Sequence, residues 1–198
     1  MTALTYVATK NRGKLGELQA IFAGTPLELR AYEAYADVAE GEASFHDNAV
    51  LKVRALHAQL RHAGIDAAVL ADDSGLEVDA LGGRPGVLSA RYAGADAPWE
   101  ERRRRLLEEM RGVPDSARSA RFVCVVAFMV PDGAMWIGRG VIEGRIPSEE
   151  RGTGGFGYDP IFIPSGESLT LAELGETRKN AISHRRRAAD ALLATLLV

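Results

Sequence analysis

Two adjacent aspartates, Asp72 and Asp73, follow the apolar run 67–71 and precede Ser74 and Gly75. The apolar run is typical of the end of a buried strand, and Gly75 would let the chain turn sharply before a second strand. Ionised carboxylates are rarely buried without a cation, a metal or a hydrogen-bond network. At least one aspartate is therefore predicted to point into a cleft, as a ligand of a divalent metal or as a general base. A capped turn with two solvated aspartates explains this segment equally well.

The polar segment 9–14 contains Asn11 and Lys14 and lies between a predicted strand and a predicted helix. Backbone N–H groups at a helix N-terminus, together with these two side chains, form a natural cradle for phosphate. The segment is not a Walker A loop, because the G-x-x-x-x-G-K-[ST] spacing is absent. A plain strand-to-helix connection is the more common interpretation of such a segment.

A third polar cluster consists of Asp47, Asn48 and Lys52, with Glu40 and Glu42 just upstream. Asp47 and Asn48 fall in the first turn of a predicted helix, and Lys52 follows Asn48 by one turn, so it can reach toward the same end. An acidic residue at this position also complements the helix dipole. Taken alone, the cluster is better explained as a solvated helix face.

The glycine-rich segment 154–160 contains Phe156, Tyr158 and Asp159. Glycines beside an aromatic residue let the backbone approach a flat ligand closely. Phe156 or Tyr158 could stack on a base, and Asp159 could accept a hydrogen bond from a ring N–H. The alternative is a glycine-rich turn packed by its own aromatic side chains.

Basic residues form two further groups. Lys179, His184 and Arg185 lie in or near the last predicted helix, and His184 and Arg185 donate hydrogen bonds that suit a keto oxygen or a phosphate. A basic helix surface is the alternative. The run 102–105 lies among glutamates at helical spacing, so we interpret it as a solvated helix with salt bridges and assign it no ligand.

The elements that must position these residues alternate between strands and helices. Strands are predicted at 4–8, 27–31, 67–71, 76–80, 119–130 and 134–145, the last two joined by a hairpin turn at 131–133. Helices are predicted at 15–22, 44–60, 98–111 and 177–197. This alternation indicates an α/β fold without repeats or an obvious linker, and we expect one domain over 1–198.

Composition narrows the possible functions. The 198 residues are 46% hydrophobic and 26% charged, as in an ordinary globular protein, and the net charge of −3 argues against general nucleic-acid or membrane-surface binding. The single cysteine, Cys124, lies in a predicted apolar strand, where it suits core packing. A single cysteine cannot form a disulfide within the chain, which suits a reducing cytoplasm. Residues 1–7 lack the basic and long apolar regions of a signal peptide, and no run is long enough to span a membrane.

Together the clusters closely resemble the inosine triphosphate pyrophosphatase family, also called dITP/XTP pyrophosphatases. The motifs that carry the resemblance occur in the family's order and span nearly the whole chain. They are T-x-N-x-x-K at 9–14, S-F-x-D-N-A-x-x-K at 44–52, A-D-D-S-G-L at 71–76, L-G-G-x-P-G-V-x-S-A-R-Y at 81–92, G-T-G-G-F-G-Y-D-P at 152–160 and I-S-H-R at 182–185.

The resemblance implies an elongated mixed β-sheet flanked by helices, with two lobes and a central nucleotide cleft, in a homodimer. It implies that a magnesium-bound nucleoside triphosphate is hydrolysed between its α and β phosphates, giving the monophosphate and pyrophosphate. The implied substrates carry deaminated purines, as in ITP, dITP and XTP, so the role would be cleansing of the nucleotide pool.

The resemblance also implies residue roles. Asp73 is the proton acceptor and a metal ligand, and Glu40 is the second metal ligand, with Asp47 as the alternative. The implied substrate-binding residues are Thr9, Lys10, Asn11, Arg12, Gly13, Lys14, Lys52, Ser74, Phe156, Gly157, Tyr158, Asp159, Lys179, His184 and Arg185. The alternative functions are a Maf-like nucleotide pyrophosphatase and a nucleotide-binding regulator without turnover.

Overall fold

The computed structural model describes residues 3–196. Its strands are β1 (Ala3–Val7), β2 (Leu27–Ala31), β3 (Ala68–Val78), β4 (Ser119–Met129), β5 (Met135–Arg145) and β6 (Ile163–Pro164). Its α-helices are α1 (Arg12–Phe22), α2 (Phe45–His62), α3 (Trp99–Glu109), α4 (Glu176–Ile182) and α5 (His184–Leu196). In the described part of the chain, no helix is long and apolar enough to cross a membrane.

The described strands form one six-stranded sheet in the order β2-β1-β3-β4-β5-β6. β1 is parallel to β2, with Ala3 opposite Leu27, and parallel to β3, with Thr5 opposite Ala68. β5 and β6 pair in the antiparallel sense. The sheet is therefore mixed and flanked by helices, which confirms the predicted fold class.

The chain divides into two compact units. Within the described residues, unit 1 comprises 3–73, 124–140 and 184–196, and unit 2 comprises 74–123 and 141–183. The strands β3, β4 and β5 each contribute residues to both units. The single domain over 1–198 stays a prediction.

Each unit has its own apolar core. In unit 1, side chains of α1 and α5 pack against β1, β2, β3 and β4, and the fully buried members include Val7, Leu18, Leu70, Cys124, Val126 and Leu192. In unit 2, α3 packs with β3, β4 and β5, around Leu76, Leu106, Met110, Ile146 and Phe162. Burial raises the pKa of the Cys124 thiol, which fits its predicted role in core packing.

Several predicted elements are confirmed. β2 has the predicted bounds, and Ser44 caps α2 by accepting a hydrogen bond from the Asp47 N–H. The turn between β4 and β5 closes with the Val130 N–H donating to the Ala134 carbonyl at 3.0 Å. The apolar face of α2 is fully buried, as its spacing predicts, and consists of Ala49, Val53, Leu56 and Leu60.

The predicted turn at Gly75 is wrong. The two strands predicted at 67–71 and 76–80 are one continuous strand, β3, in which Gly75 is buried. Glycine permits a turn but does not require one. β1 pairs only with residues 68–70 of β3, whereas β4 is the neighbour of β3 on its other side in the sheet. Beyond Gly75, the Leu76 N–H donates to the Ser89 hydroxyl at 2.9 Å and Glu77 forms a bridge with Pro85. These tertiary contacts override the local turn preference.

The predicted last helix, 177–197, is two helices. Ser183 adopts an extended conformation, with φ −63° and ψ 157°, between α4 and α5. Serine is favoured at the position directly before a helix, where its hydroxyl can satisfy a first-turn N–H. Residue 197 lies outside the described residues.

The prediction for the basic run of α3 is half right. Arg104 and Arg105 are exposed and pair with glutamates of the same helix. Arg102 and Arg103 are buried and donate to main-chain carbonyls, and Arg103 also pairs with Glu100 and Glu150. The helical period places neighbouring residues on different faces, so a run of four arginines cannot all face solvent.

The packing of α5 on β5 depends on two glycines, Gly138 and Gly140. A Cβ on Gly138 would lie 2.6 Å from the Leu192 backbone nitrogen, and one on Gly140 would overlap the His184 carbonyl oxygen. Glycine in a strand often marks such a close backbone approach. The helix backbone therefore rests directly on the strand.

We predict that Gly140→Ala lowers the free energy of unfolding by about 1–3 kcal/mol or more, because α5 must move away from β5. Gly16→Ala is the matched control, because Gly16 is exposed within α1 and a Cβ added there would meet no atom within 4 Å. It should stabilise the protein by about 0.5–1 kcal/mol through helix propensity. Urea unfolding of both variants measures the difference, and equal stabilities would contradict the close approach.

Candidate active site

The two adjacent aspartates lie in the middle of β3 and are almost completely buried. Asp72 is 1% exposed and Asp73 is 5% exposed. Successive side chains of a strand point to opposite faces, so the two carboxylates face different helices. Each therefore needs its own source of positive charge.

Asp72 faces α1 and α5. Its Oδ2 lies 3.3 Å from the Lys14 Nζ and 3.3 Å from the Arg185 Nε. The Arg185 guanidinium also donates from Nη1 to Glu17 Oε2 at 3.1 Å. Burial pushes the pKa of Asp72 upward, but Lys14 and Arg185 outweigh it and hold the pKa well below its usual range. Asp72 is therefore a fixed negative charge.

Asp73 faces α2. Lys52 Nζ donates to Asp73 Oδ1 at 3.0 Å, and Asn48 Nδ2 donates to Asp73 Oδ2 at 3.0 Å. The same ammonium contacts Glu40 Oε1 at 2.6 Å and the Asp72 carbonyl oxygen at 3.1 Å. One lysine thus bridges two carboxylates, and one amide fixes the orientation of the Asp73 side chain.

The pKa of Asp73 and the pKa of Lys52 are both raised, but by different causes. Burial raises the pKa of Asp73, and Lys52 and Lys14 offset this only in part. Burial lowers the pKa of Lys52, but Asp73, Asp72 and Glu40 outweigh it, so the net direction is upward and the ammonium stays charged. A carboxylate with a raised pKa beside a permanent cation is suited to accept a proton.

The start of α2 explains why Glu40, rather than Asp47, shares the lysine with Asp73. Asp47 is exposed and its Oδ2 accepts from the Ser44 hydroxyl at 2.8 Å. Asn48 Oδ1 accepts from the Gly41 N–H at 2.9 Å, which ties the segment before α2 to this helix. Glu40 is thereby held at the Lys52 ammonium.

The donor set near Lys52 fits a hard divalent cation. Among residues 3–196, no group of three or more His, Cys, Asp or Glu side chains could hold a metal ion by itself. Mg²⁺, however, is commonly bound by one or two carboxylates together with substrate phosphates and water. The carboxylates of Asp73 and Glu40 converge on one ammonium, so they could also converge on one such ion.

The segment 9–14 forms the connection from β1 to α1. Thr9 Oγ1 accepts from the Asn11 N–H at 3.1 Å, and Asn11 Oδ1 caps α1 by accepting from the Lys14 N–H at 3.1 Å. Lys14 turns back to Asp72, as described above. The remaining predicted contacts of the segment are exposed: Lys10, Arg12 and Gly13.

In unit 2, Asp159 organises the glycine-rich loop. Its Oδ2 accepts from the Phe156 N–H at 2.8 Å and from Lys179 Nζ at 2.7 Å, and the Lys179 ammonium lies 4.3 Å from the centre of the Phe156 ring. A Cβ on Gly155 would overlap the same carboxylate. The structure therefore brings together three of the predicted base contacts.

Tyr158 differs from Phe156 in its environment. Tyr158 is 2% exposed and its hydroxyl donates to the Ser89 carbonyl at 3.0 Å, whereas Phe156 is half-buried. Of the two aromatic candidates for stacking, Phe156 has the accessible ring. Ser74, the residue after Asp73 in β3, is also half-buried.

His184 and Arg185 open α5 and are both buried, at 3% and 4% exposure. The Arg185 bonds to Asp72 and Glu17 were not predicted, and neither was the bond from Asn48 to Asp73. The sequence did contain a signal for Asp72: two consecutive aspartates in a strand point to opposite faces, so Asp72 must form a second charged centre. Glu17 carried no signal, because its partner lies 168 residues away in the chain.

Comparison with known proteins identifies the class. A Ham1 protein structure from Coxiella burnetii superposes with a TM-score of 0.86 at 39% identity, covering 99% of both chains. A curated relative from Oceanobacillus iheyensis, named dITP/XTP pyrophosphatase, is 45% identical over 94% of each chain. Another of that name, from Geobacter sulfurreducens, is 47% identical over 95% of this chain and 93% of the relative. The fold is thus that of the Ham1 proteins.

The family model described as the Ham1 family matches residues 5–195. The chain belongs to this family, and the resemblance inferred from the motifs is confirmed.

We predict that Arg185→Met lowers the free energy of unfolding by about 3–5 kcal/mol, because Asp72 and Glu17 lose a buried cationic partner. Adding Glu17→Gln should restore part of the loss, since one of the two buried charges is then removed. A double-mutant cycle measured by urea unfolding gives the coupling. Additive effects would show that the Glu17–Arg185 pair contributes nothing.

Proposed function

We propose that this protein hydrolyses deaminated purine nucleoside triphosphates, namely ITP, dITP and XTP, to the monophosphate and pyrophosphate, and so cleanses the nucleotide pool. The observation that carries the proposal is the buried Lys52–Asp73 ion pair, whose ammonium also contacts the half-buried Glu40. The names of the relatives, dITP/XTP pyrophosphatases, support the same substrate class.

In this proposal, Asp73 takes a proton from the attacking water. Its raised pKa makes it a better base than an exposed aspartate, and Asn48 holds its carboxylate in one orientation. Lys52 and Lys14 oppose the negative charge that develops on the leaving pyrophosphate. Asp72 anchors the Lys14 ammonium, so that this cation is in place before the substrate arrives.

Asp73 and Glu40 would hold the Mg²⁺ ion that accompanies the triphosphate. Such an ion supplies Lewis-acid stabilisation of phosphate charge. Glu40 is preferred to Asp47 as the second ligand, because Asp47 is exposed and engaged with Ser44.

For the base, we propose stacking on Phe156 and hydrogen bonds to Lys179 and Asp159. An ammonium only donates, so it favours the 6-keto oxygen of hypoxanthine and xanthine over the 6-amino group of adenine. A carboxylate accepts and suits a ring N–H. His184 and Arg185 stay predicted base contacts; the structure places Arg185 against Asp72 and Glu17.

A homodimer, a cytoplasmic location and the absence of nucleic-acid or membrane partners belong to the same proposal. The net charge of −3 and the single buried cysteine support the last two points.

A substrate panel tests the proposed function directly. Purified protein with Mg²⁺ is assayed for pyrophosphate release from ITP, dITP, XTP, GTP and ATP. We expect the first three to be the best substrates. Preference for other nucleotides would favour a Maf-like pyrophosphatase, and nucleotide binding without turnover would favour a regulator.

Asp73→Asn should lower kcat by roughly 10²–10⁴-fold, because the general base is lost while the shape of the side chain is kept. Asp47→Asn is the matched control and should stay near wild type, since its carboxylate is exposed. Steady-state kinetics with ITP measure both variants. Asp73→Asn turnover within threefold of wild type, in a folded protein, would refute the assigned base.

Lys14→Ala and Lys52→Ala should each lower kcat/KM for ITP by about tenfold or more, because each removes a cation that opposes phosphate charge. Arg104→Ala should leave kcat/KM unchanged, because its ion pairs lie on the exposed face of α3. If all three variants lose the same activity, the phosphate site has been placed wrongly.

A further inference from the structure

Arg103 is a buried arginine of α3 that joins this helix to the glycine-rich loop. Its side chain is 10% exposed, and Nη1 donates to the Gly157 carbonyl oxygen at 2.9 Å. Its Nε donates to Glu150 Oε2 at 2.9 Å, so the guanidinium is held from a second direction. All three residues belong to unit 2.

Trp99, one turn before Arg103, supports the same stretch of loop. Its ring meets the Tyr158 ring edge to face, with centroids 5.4 Å apart, and lies 3.8 Å from where a Cβ on Gly157 would be. Gly157 has φ +66°, a conformation that glycine adopts freely and other residues rarely do. Packing and the Arg103 hydrogen bond therefore hold a stretch that the sequence leaves flexible.

Two of the proposed base contacts lie close to Gly157 in the loop. Phe156 directly precedes it, and Asp159, which accepts a hydrogen bond from the Lys179 ammonium, follows two residues later. A shift of the Gly157 peptide would move the Phe156 ring relative to the Lys179 ammonium. Misplacement of a binding group by about 1 Å is enough to weaken a site strongly.

We propose that Arg103 is a positioning residue for base recognition: by fixing the Gly157 carbonyl, it sets the Phe156 ring and Asp159 for the purine. This inference rests on the proposed function and deepens it. Charge-assisted hydrogen bonds are roughly twice as strong as neutral ones, and the planar fork of arginine serves both Gly157 and Glu150 at once.

The test uses Arg103→Met in the full-length protein with Mg²⁺. The KM for ITP should rise about tenfold with kcat changed less than threefold, because the hydrogen bond acts on binding geometry and not on the water-activating groups. IMP and pyrophosphate are also compared as inhibitors, because IMP contains the base and pyrophosphate does not. The inhibition constant of IMP should rise about tenfold and that of pyrophosphate should stay within twofold.

Two arginines serve as controls. Arg104→Met changes the exposed neighbour on the same helix and should leave all constants at wild-type values. Arg118→Met removes an equally buried arginine, whose donors go to the Ile146, Met110, Val113 and Pro147 carbonyls and not to the loop. It should lower the melting temperature without changing the ratio of the two inhibition constants.

If Arg103→Met does not fold, two more conservative variants still test the inference. Arg103→Lys retains the charge and one donor nitrogen, so its rise in KM should be smaller than that of Arg103→Met. Glu150→Gln loosens Arg103 but leaves its bond to Gly157, and should raise the IMP constant about two- to threefold.

An unchanged IMP constant in every folded Arg103 or Glu150 variant would overturn the inference, as would parallel rises for IMP and pyrophosphate. If the wild-type protein does not hydrolyse ITP, the proposed function fails. If the wild-type protein hydrolyses ITP and the Arg103 variants behave like it, only the inference about Arg103 fails.

Discussion

Unit 1 is organised by the need to compensate two buried carboxylates at consecutive positions of one strand. Because a strand alternates its side chains, Asp72 and Asp73 require cations on opposite faces of the sheet. Lys14 and Arg185 supply charge on one face, and Lys52 supplies it on the other. The helices α1, α5 and α2 must therefore lie where their basic residues reach β3, and the two aspartates acquire opposite properties: the pKa of Asp72 is lowered and that of Asp73 is raised.

This arrangement depends on close backbone packing elsewhere in the same unit. Arg185 lies in the first turn of α5, and this helix rests on β5 where Gly138 and Gly140 leave room for its backbone. A larger residue at Gly140 would displace the very turn that carries the guanidinium. The two strand glycines thus affect the charge environment of Asp72 indirectly, because they determine how closely α5, which carries Arg185, approaches β5.

Unit 2 uses a different principle to place polar groups. A loop rich in glycine has little conformational preference of its own, so its shape is imposed by contacts from outside. Lys179 holds it through Asp159, and Arg103 holds it through the Gly157 carbonyl. Charged side chains in this unit therefore order main-chain and aromatic groups, whereas in unit 1 the charged side chains are themselves the groups proposed to take part in the reaction.

The sequence by itself determined the α/β class, the bounds of β2 and most of α2, and the family, because hydrophobic periodicity and ordered motifs are local properties of the chain. It could not decide whether the segment around Gly75 turns or continues, since the neighbouring strand β4 and the contacts of Leu76 and Glu77 with residues 85–89 override the local preference. Nor could it pair Glu17 with Arg185 or separate buried Arg103 from exposed Arg104. Those outcomes depend on which helix face meets the core, and only the tertiary structure brings distant residues close enough to decide it.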